Sequence, residues 1–315
     1  MAENSLHAVI DLGTNTFHLL IAEVRAEEQF AEIYRERIFV KLASDGIETI
    51  GPEPFARGIA TLKHFARVIR EHGVTSVTAI GTAALRTATN GEAFVRTASL
   101  ECGIEIGLIS GDTEAELITR GVLAALPPLE DRVLIMDIGG GSTEYIIASS
   151  EGVHWRQSFP IGVAVLQRSF HHTDPISADE VSRLENFLEV QLQPLREALG
   201  AYPAHHLVGA AGTFDVMAEV LRDGAALRAR NSHVLTMDGL EHLHLTIVGS
   251  TVAERLAIPG VPPERVDLIV VAMLLIRFTI GLAGIRKLTV SDYAMKEGIL
   301  LNASDQNLGS PAASG

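Results

Sequence analysis

The residues with the clearest chemical potential form the stretch Asp137-Ile138-Gly139-Gly140-Gly141-Ser142-Thr143-Glu144. It follows the apolar run Val133-Leu134-Ile135-Met136 and precedes Tyr145-Ile146-Ile147, so the pattern predicts two strands joined by a glycine turn. Three consecutive glycines bare the backbone. Bare N–H groups in a turn can close on phosphate oxygens, and the hydroxyls of Ser142 and Thr143 add donors. Asp137 and Glu144 have the wrong sign for phosphate but are the right ligand type for a hard divalent cation such as magnesium. The stretch reads as a metal-phosphate site, against the plainer alternative that a glycine-rich hairpin only turns the chain. A second copy of the unit tips the balance toward function. Asp11-Leu12-Gly13-Thr14-Asn15-Thr16 follows Ala8-Val9-Ile10 and precedes Phe17-His18-Leu19-Leu20-Ile21, which suggests two similar domains facing each other across a phosphate.

Other candidates stand at the ends of expected strands. Val74 to Ile80 is β-branched and runs into the apolar loop Gly81-Thr82-Ala83-Ala84-Leu85-Arg86. In an open α/β sheet a cation there faces the ligand crevice, so Arg86 is either a phosphate ligand or a surface residue near a helix start. A strand at Ile104 to Ile109 leads into a helix with Asp112, Glu114 and Glu116 in its first turns. Favourable placement near the helix N-terminus is enough to explain these acids. Gly209 to Thr213 repeats the strand-into-small-residue theme, for ligand approach or for tight packing. The pairs His171-His172 and His205-His206 lack companions at metal-ligand spacing and are taken as surface residues. Cys102 has apolar neighbours and fits the core better than a nucleophilic role.

These residues need elements to hold them. The 315 residues, 47% apolar, suffice for two cores. Lys and Arg number 25 against 39 Asp and Glu, a formal charge of -14 that argues against broad binding to nucleic acid or an anionic membrane. A single cysteine excludes an intramolecular disulfide framework and, with no secretory signal at the start, points to the cytoplasm. The most apolar segment, Leu268 to Ile276, is too short to span a bilayer and reads as a buried helix. Helical spacing appears at 56–72, closed by Gly73, and over 177–199 as one helix with Ser177 and Glu180 as a capping box. From 237 to 281 the pattern is helical with a break at Pro259 to Pro263, then comes a strand at 288–291 and a closing helix from Asp292. Pro127-Pro128 marks the crossing between domains, expected at 1–124 and 125–298, with 299–315 packing back on the first as helix and flexible tail.

The sequence resembles the exopolyphosphatase and guanosine pentaphosphate phosphohydrolase (Ppx/GppA) family. The stretches that carry the resemblance are DLGTNTFHLL, GTAALRTATN, ISGDTEAEL, DIGGGSTEYII, SFPIGVAVL, VGAAGT and SDYAMKEGIL, in order over about residues 8 to 300. The resemblance implies an α/β chain of two ribonuclease-H-like domains, of the actin, hexokinase and Hsp70 type, flanking an active-site cleft. It implies that Glu114 is the base that takes a proton from the attacking water. Asp137, Glu144 and Asp11 are similar to the carboxylates that hold magnesium, and Thr14, Asn15, Arg86, Gly140, Gly141 and Ser142 to the phosphate-gripping set. The implied substrate is polyphosphate, with guanosine pentaphosphate as the alternative and a non-catalytic phosphate or alarmone sensor as a third reading.

The chain also departs from the family pattern. Thr14 and Thr16 replace serines, which keeps the hydroxyls, and Lys296 stands where the family more often has Arg. Longer members continue into further helical domains that help grip long polymer. An acidic protein without them must capture a polyanion on a local basic strip, expected to comprise Arg86, Arg35, Arg37, Lys41 and Lys296, which favours short chains unless a homodimer joins two grooves.

Overall fold

The computed structural model describes residues 5–25, 29–221, 228–229 and 231–308. The chain divides into two compact units, Met1–Gly121 with Met295–Gly315, and Val122–Ala294. The division falls a few residues ahead of 124 and 298, and the closing helix, Met295–Leu308, belongs wholly to the first unit.

Among the described residues the first unit holds a five-stranded sheet. β1 (Ser5–Leu12), β2 (Thr16–Arg25) and β3 (Gln29–Phe39) form an antiparallel meander, and β4 (Ser76–Gly81) and β5 (Ile106–Leu108) continue it in parallel, in the order β3-β2-β1-β4-β5. Alternation sends Ile10, Leu12, Phe17 and Leu19 to one face, where they pack with Leu62 and Phe65 of α1 (Pro52–Glu71). Proline in the first turn starts α1 and Gly73, at φ 68°, follows its end. The opposite face carries Val9, Asp11 and Leu20, and the closing helix packs on β1, β2 and β3. That helix crosses α4 (Gly111–Ala125) so closely that a Cβ on Gly298 would stand 1.9 Å from the Leu117 carbonyl oxygen. Only glycine permits the crossing.

The second unit repeats the plan. β6 (Val133–Ile138), β7 (Thr143–Ser149) and β8 (Gly152–Phe159) form the meander, and β9 (His206–Ala210) continues it in parallel on β6. The full order is β10-β11-β12-β9-β6-β7-β8, with β10 at Arg228–Ala229, β11 at Ser232–Leu235 and β12 at Lys287–Ser291. Read from β8 to β12, the pairings reproduce those from β3 to β5, which is the ribonuclease-H-like arrangement in both units. The core lies between this sheet and helices that include α5 (Val163–Phe170), α6 (Ala178–Gln191), α8 (Gly212–Val220) and α11 (Ile269–Ala283). α11 is apolar nearly all round and buried to match. No helix among the described residues is long and apolar enough to cross a membrane.

Several local expectations need correction. The helix expected over 177–199 is two, α6 and α7 (Gln193–Ala201), because Pro194 cannot continue the backbone ladder through Leu192. Its start is as expected, with Ser177 and Glu180 closing a capping box. The stretch from Met237 is broken earlier than Pro259, since α9 (Met237–Val248) ends at Gly249 and α10 (Val252–Leu256) begins on a new cap at Thr251. Ala83–Thr87 is not a loop but a short helix, α2, made of good helix formers. Only one member of each histidine pair is on the surface: His172 and His205 are exposed, whereas His171 is buried and His206 is half-buried with Nε2 2.8 Å from Thr289 Oγ1. Strand alternation at 205–206 turns one imidazole of that pair onto the sheet.

Candidate phosphate and metal site

In the first unit the Asp11–Thr16 turn links β1 to β2. The Gly13 amide donates to the Thr16 carbonyl at 3.1 Å and tightens it. The carbonyls of Thr14 and Asn15 accept from Leu42, Val40 and Lys41 at 2.8 to 2.9 Å, on the segment that follows β3. Among the described residues the amides of Thr14 and Asn15 find no acceptor, so the outward side of the turn is a cluster of unused donors. The Thr82 amide reaches the Leu12 carbonyl at 3.3 Å and ties the start of α2 to this turn.

The last turn of α2 carries Arg86, whose Nη1 donates to the Ile109 carbonyl at 2.7 Å and lies 3.4 Å from Glu114 Oε2. Glu114 sits in the first turn of α4, where the Ser110 hydroxyl caps the Thr113 amide at 3.1 Å. Glu114 is 8% exposed, with a cation beside it. Dipole stabilisation alone does not call for that burial.

Asp11 faces a second charge cluster. Burial pushes its carboxyl up to about 6, Lys296 pulls it down and Glu297 pushes it up. Glu297 is fully buried, 2.9 Å from Arg35 Nη2 and 4.0 Å from Lys296 Nζ. Arg35 also meets Glu32 at 2.7 Å, and despite burial these two carboxylates hold its guanidinium above its usual range. Arg35 and Lys296 are therefore committed to internal pairs and drop out of the expected capture strip. Arg37 is exposed beside Phe39, and Lys41 lies directly behind the turn.

In the second unit Asp137 and Glu144 are directly opposed across β6 and β7, and both are buried. Opposed residues on an antiparallel pair point to one face, so the two carboxylates share it. Ser158 donates to Glu144 Oε1 at 2.6 Å and fixes its orientation. Gly139 donates to Ser142 at 2.9 Å, while the carbonyls of Gly139 and Gly140 accept from Val163 and Ala164 at 3.0 and 2.9 Å. The amides of Gly140, Gly141 and Ser142 have no acceptor among the described residues. The chain entering α5 comes so near that a Cβ on Gly162 would stand 2.4 Å from Gly140 backbone atoms. Beside the turn, β9 is followed by Ala211, at a positive φ of 56°, which caps the start of α8.

Two turns of one design, each with a row of unused amides, agree with the family comparison. The model of the Ppx/GppA phosphatase family matches residues 20–307. The chain belongs to the Ppx/GppA phosphatase family. It is 30% identical over 312 residues to Exopolyphosphatase 2 of Mycobacterium tuberculosis, across 94% of this chain and 97% of that protein. Among solved structures, an exopolyphosphatase from Cytophaga hutchinsonii superposes with a TM-score of 0.91 at 38% identity, covering 96% of this chain and 98% of its own. The Aquifex aeolicus member of the family gives 0.80 at 26% identity, covering 97% and 99%. The protein is thus a phosphoanhydride hydrolase of the Ppx/GppA type.

The carboxylates fit the magnesium that this family implies in kind. No group of three or more His, Cys, Asp or Glu side chains gathers as a ready-made metal cage among the described residues. Magnesium does not require one, since it keeps several waters and is held through one or two carboxylates plus substrate phosphate. Asp137 and Glu144, opposed and buried on one face of the hairpin, are of the type and placement that such a pair requires.

Four residues that bear on this Ppx/GppA site escaped sequence reasoning: Thr82, Ser158, Gly162 and Glu297. Gly162 had a signal in the Pro-Ile-Gly turn that follows β8. Glu297 looks on paper like an ordinary first-turn acid, and nothing local reveals its pairing with Arg35.

Proposed function

We propose that the protein is an exopolyphosphatase that removes terminal orthophosphate from linear polyphosphate. The observation that carries the reading is the buried Glu114 carboxylate set 3.4 Å from Arg86, because hydrolysis needs a base for water and a cation for phosphoryl oxygens. The relatives named as exopolyphosphatases support polyphosphate as the substrate. In the proposed reaction a water oxygen attacks the terminal phosphorus and passes one proton to the Glu114 carboxylate. The bridging P–O bond then breaks, and the chain one phosphate shorter leaves with the electron pair. Arg86 and the amides of Thr14, Asn15, Gly140, Gly141 and Ser142 hold the phosphoryl oxygens. Asp137 and Glu144, with Asp11, are the residues that would hold magnesium, which when bound supplies positive charge to the substrate oxygens.

Incubation of the purified protein with magnesium and either polyphosphate or guanosine pentaphosphate tests the substrate. Orthophosphate released from polyphosphate is the expected result. Hydrolysis of guanosine pentaphosphate alone would transfer the assignment to the other branch of the family. With Arg35 and Lys296 internally paired, the expected product pattern is a ladder on long chains and faster turnover per chain end on short ones. Fully processive digestion by a protein of monomeric mass would refute that expectation.

A further inference from the structure

One cavity in the second unit takes no part in the chemistry above. It measures about 610 Å³ and lies at the N-terminal ends of β6, β9 and β12, where Arg132, His206 and Lys287 stand. The glycine turn follows the other end of β6, so at a strand rise of about 3.3 Å per residue the two lie on the order of 17 Å apart.

The lining divides by chemistry. Pro127, Pro128 and Pro203 present rigid apolar faces, while Arg132, Arg286 and Lys287 bring three cations. None of these cations has a carboxylate partner among the described residues, and the Arg132 guanidinium instead lies 5.9 Å from the Tyr202 ring centroid. In a chain with 39 acids and 25 bases, three unpaired cations around one cavity leave it with an unmet demand for negative charge. Glu130 and Asp131 also line it and offset part of that charge. His206 is paired in register with Lys287, and burial with that lysine pushes its imidazole down to about 4, so it is a neutral hydrogen-bonding group in the cavity lining.

Orthophosphate alone would leave most of such a volume empty, whereas pockets of roughly 300–1,000 Å³ with an apolar wall and a few polar groups suit small organic ligands. We infer that this cavity binds an organic phosphate of nucleotide size, its phosphates on Arg132, Arg286 and Lys287 and its flat apolar body against the three prolines. The ligand is an effector or second ligand, distinct from whatever the glycine turns hydrolyse, so the inference stands or falls apart from the substrate proposal.

Calorimetric titration of the full chain with adenosine diphosphate tests it, with pyrophosphate and adenosine as head-only and body-only probes. Arg286→Ala/Lys287→Ala, at exposed positions, is expected to weaken adenosine diphosphate binding by about tenfold or more, the scale of lost charge-assisted contacts. The same double variant should leave basal phosphate release unchanged, Arg86→Ala should leave the affinity within about twofold, and each half-ligand should bind at least about tenfold more weakly. No binding up to about 1 mM would overturn the inference. So would binding lost in Arg86→Ala but kept in the double variant, which would place the nucleotide on the phosphate turns. Pyrophosphate binding as tightly as the nucleotide would also overturn it, by removing any part for the prolines.

Discussion

The two glycine turns are built alike and charged differently. Gly13 and Gly139 make the same bond two strand-ends apart in the repeat, to Thr16 and Ser142, and each turn's carbonyls are taken up by the segment that follows the third strand of its meander. Across the hairpin, however, Asp137 faces Glu144 whereas Asp11 faces His18. The second unit thus sets two carboxylates on one face. The first sets Asp11 against a histidine, with Lys296 and the buried Glu297 acting on it in opposite senses, and adds Arg86 and Glu114 on α2 and α4. The backbone cradle repeats because amide donors suit any phosphate. The divergence of the side chains is what the proposed division of labour requires, since cation binding and water activation need different groups.

That division can be broken at several points. The largest effect is expected at Glu114, where Glu114→Gln should leave folding intact and lower kcat by about a hundredfold or more, the scale of a lost general base. Near wild-type kcat would take Glu114 out of the chemistry. Next comes the buttress of each turn. Gly162→Ala forces a methyl into the Gly140 backbone and should cost about 2 kcal/mol in thermal or urea unfolding. Lys41, at φ 50° behind the first turn, is already a side chain in a left-handed conformation, so Lys41→Gly should change stability by under about 1 kcal/mol. Equal losses at both positions would mean that the buttresses are equivalent after all.

The hairpin partners give a smaller, sharper contrast. Glu144→Gln should raise the magnesium needed for half-maximal activity by about tenfold or more, and His18→Gln by less than about twofold. Similar shifts in the two variants would erase the distinction between the turns. The smallest effect belongs to the sheet of the second unit. His206 titrates near 6.5 when unfolded and about 4 when folded, so its contribution to stability is full above pH 6.5 and is lost as pH falls toward 4. Discounted for its partial exposure, this amounts to about 1 kcal/mol. Unfolding curves across that window should be flatter for His206→Gln, and identical slopes would show that His206 does not titrate differently on folding.

The glycine turns and their flanking strands were legible because their signals are local: an apolar run, an acid, glycines, a second apolar run. The Arg86–Glu114 pair was legible only as two separate candidates, since a 28-residue separation hides a contact that α2 and α4 create. Arg35 shows the limit most clearly. As a basic residue on an edge strand it read as a capture group, but its partner Glu297 lies 262 residues away and is brought there by the fold. The split of α6 from α7 was missed for another reason: apolar periodicity continues through Leu192 and Leu195 and masks what Pro194 does to the backbone.

The same long-range pairing has a consequence for the order in which the protein is made. The second unit is one unbroken segment and has all its strands once residue 294 has been synthesised. The first unit is written in two instalments, with Asp11 and Arg35 in the opening one and Lys296 and Glu297 in the last. Until the closing helix emerges, one face of the first sheet lacks its cover, and Arg35 lacks its buried carboxylate. A nascent chain therefore has every residue of the continuous second unit before it has the closing helix that completes the first, the unit that holds Glu114.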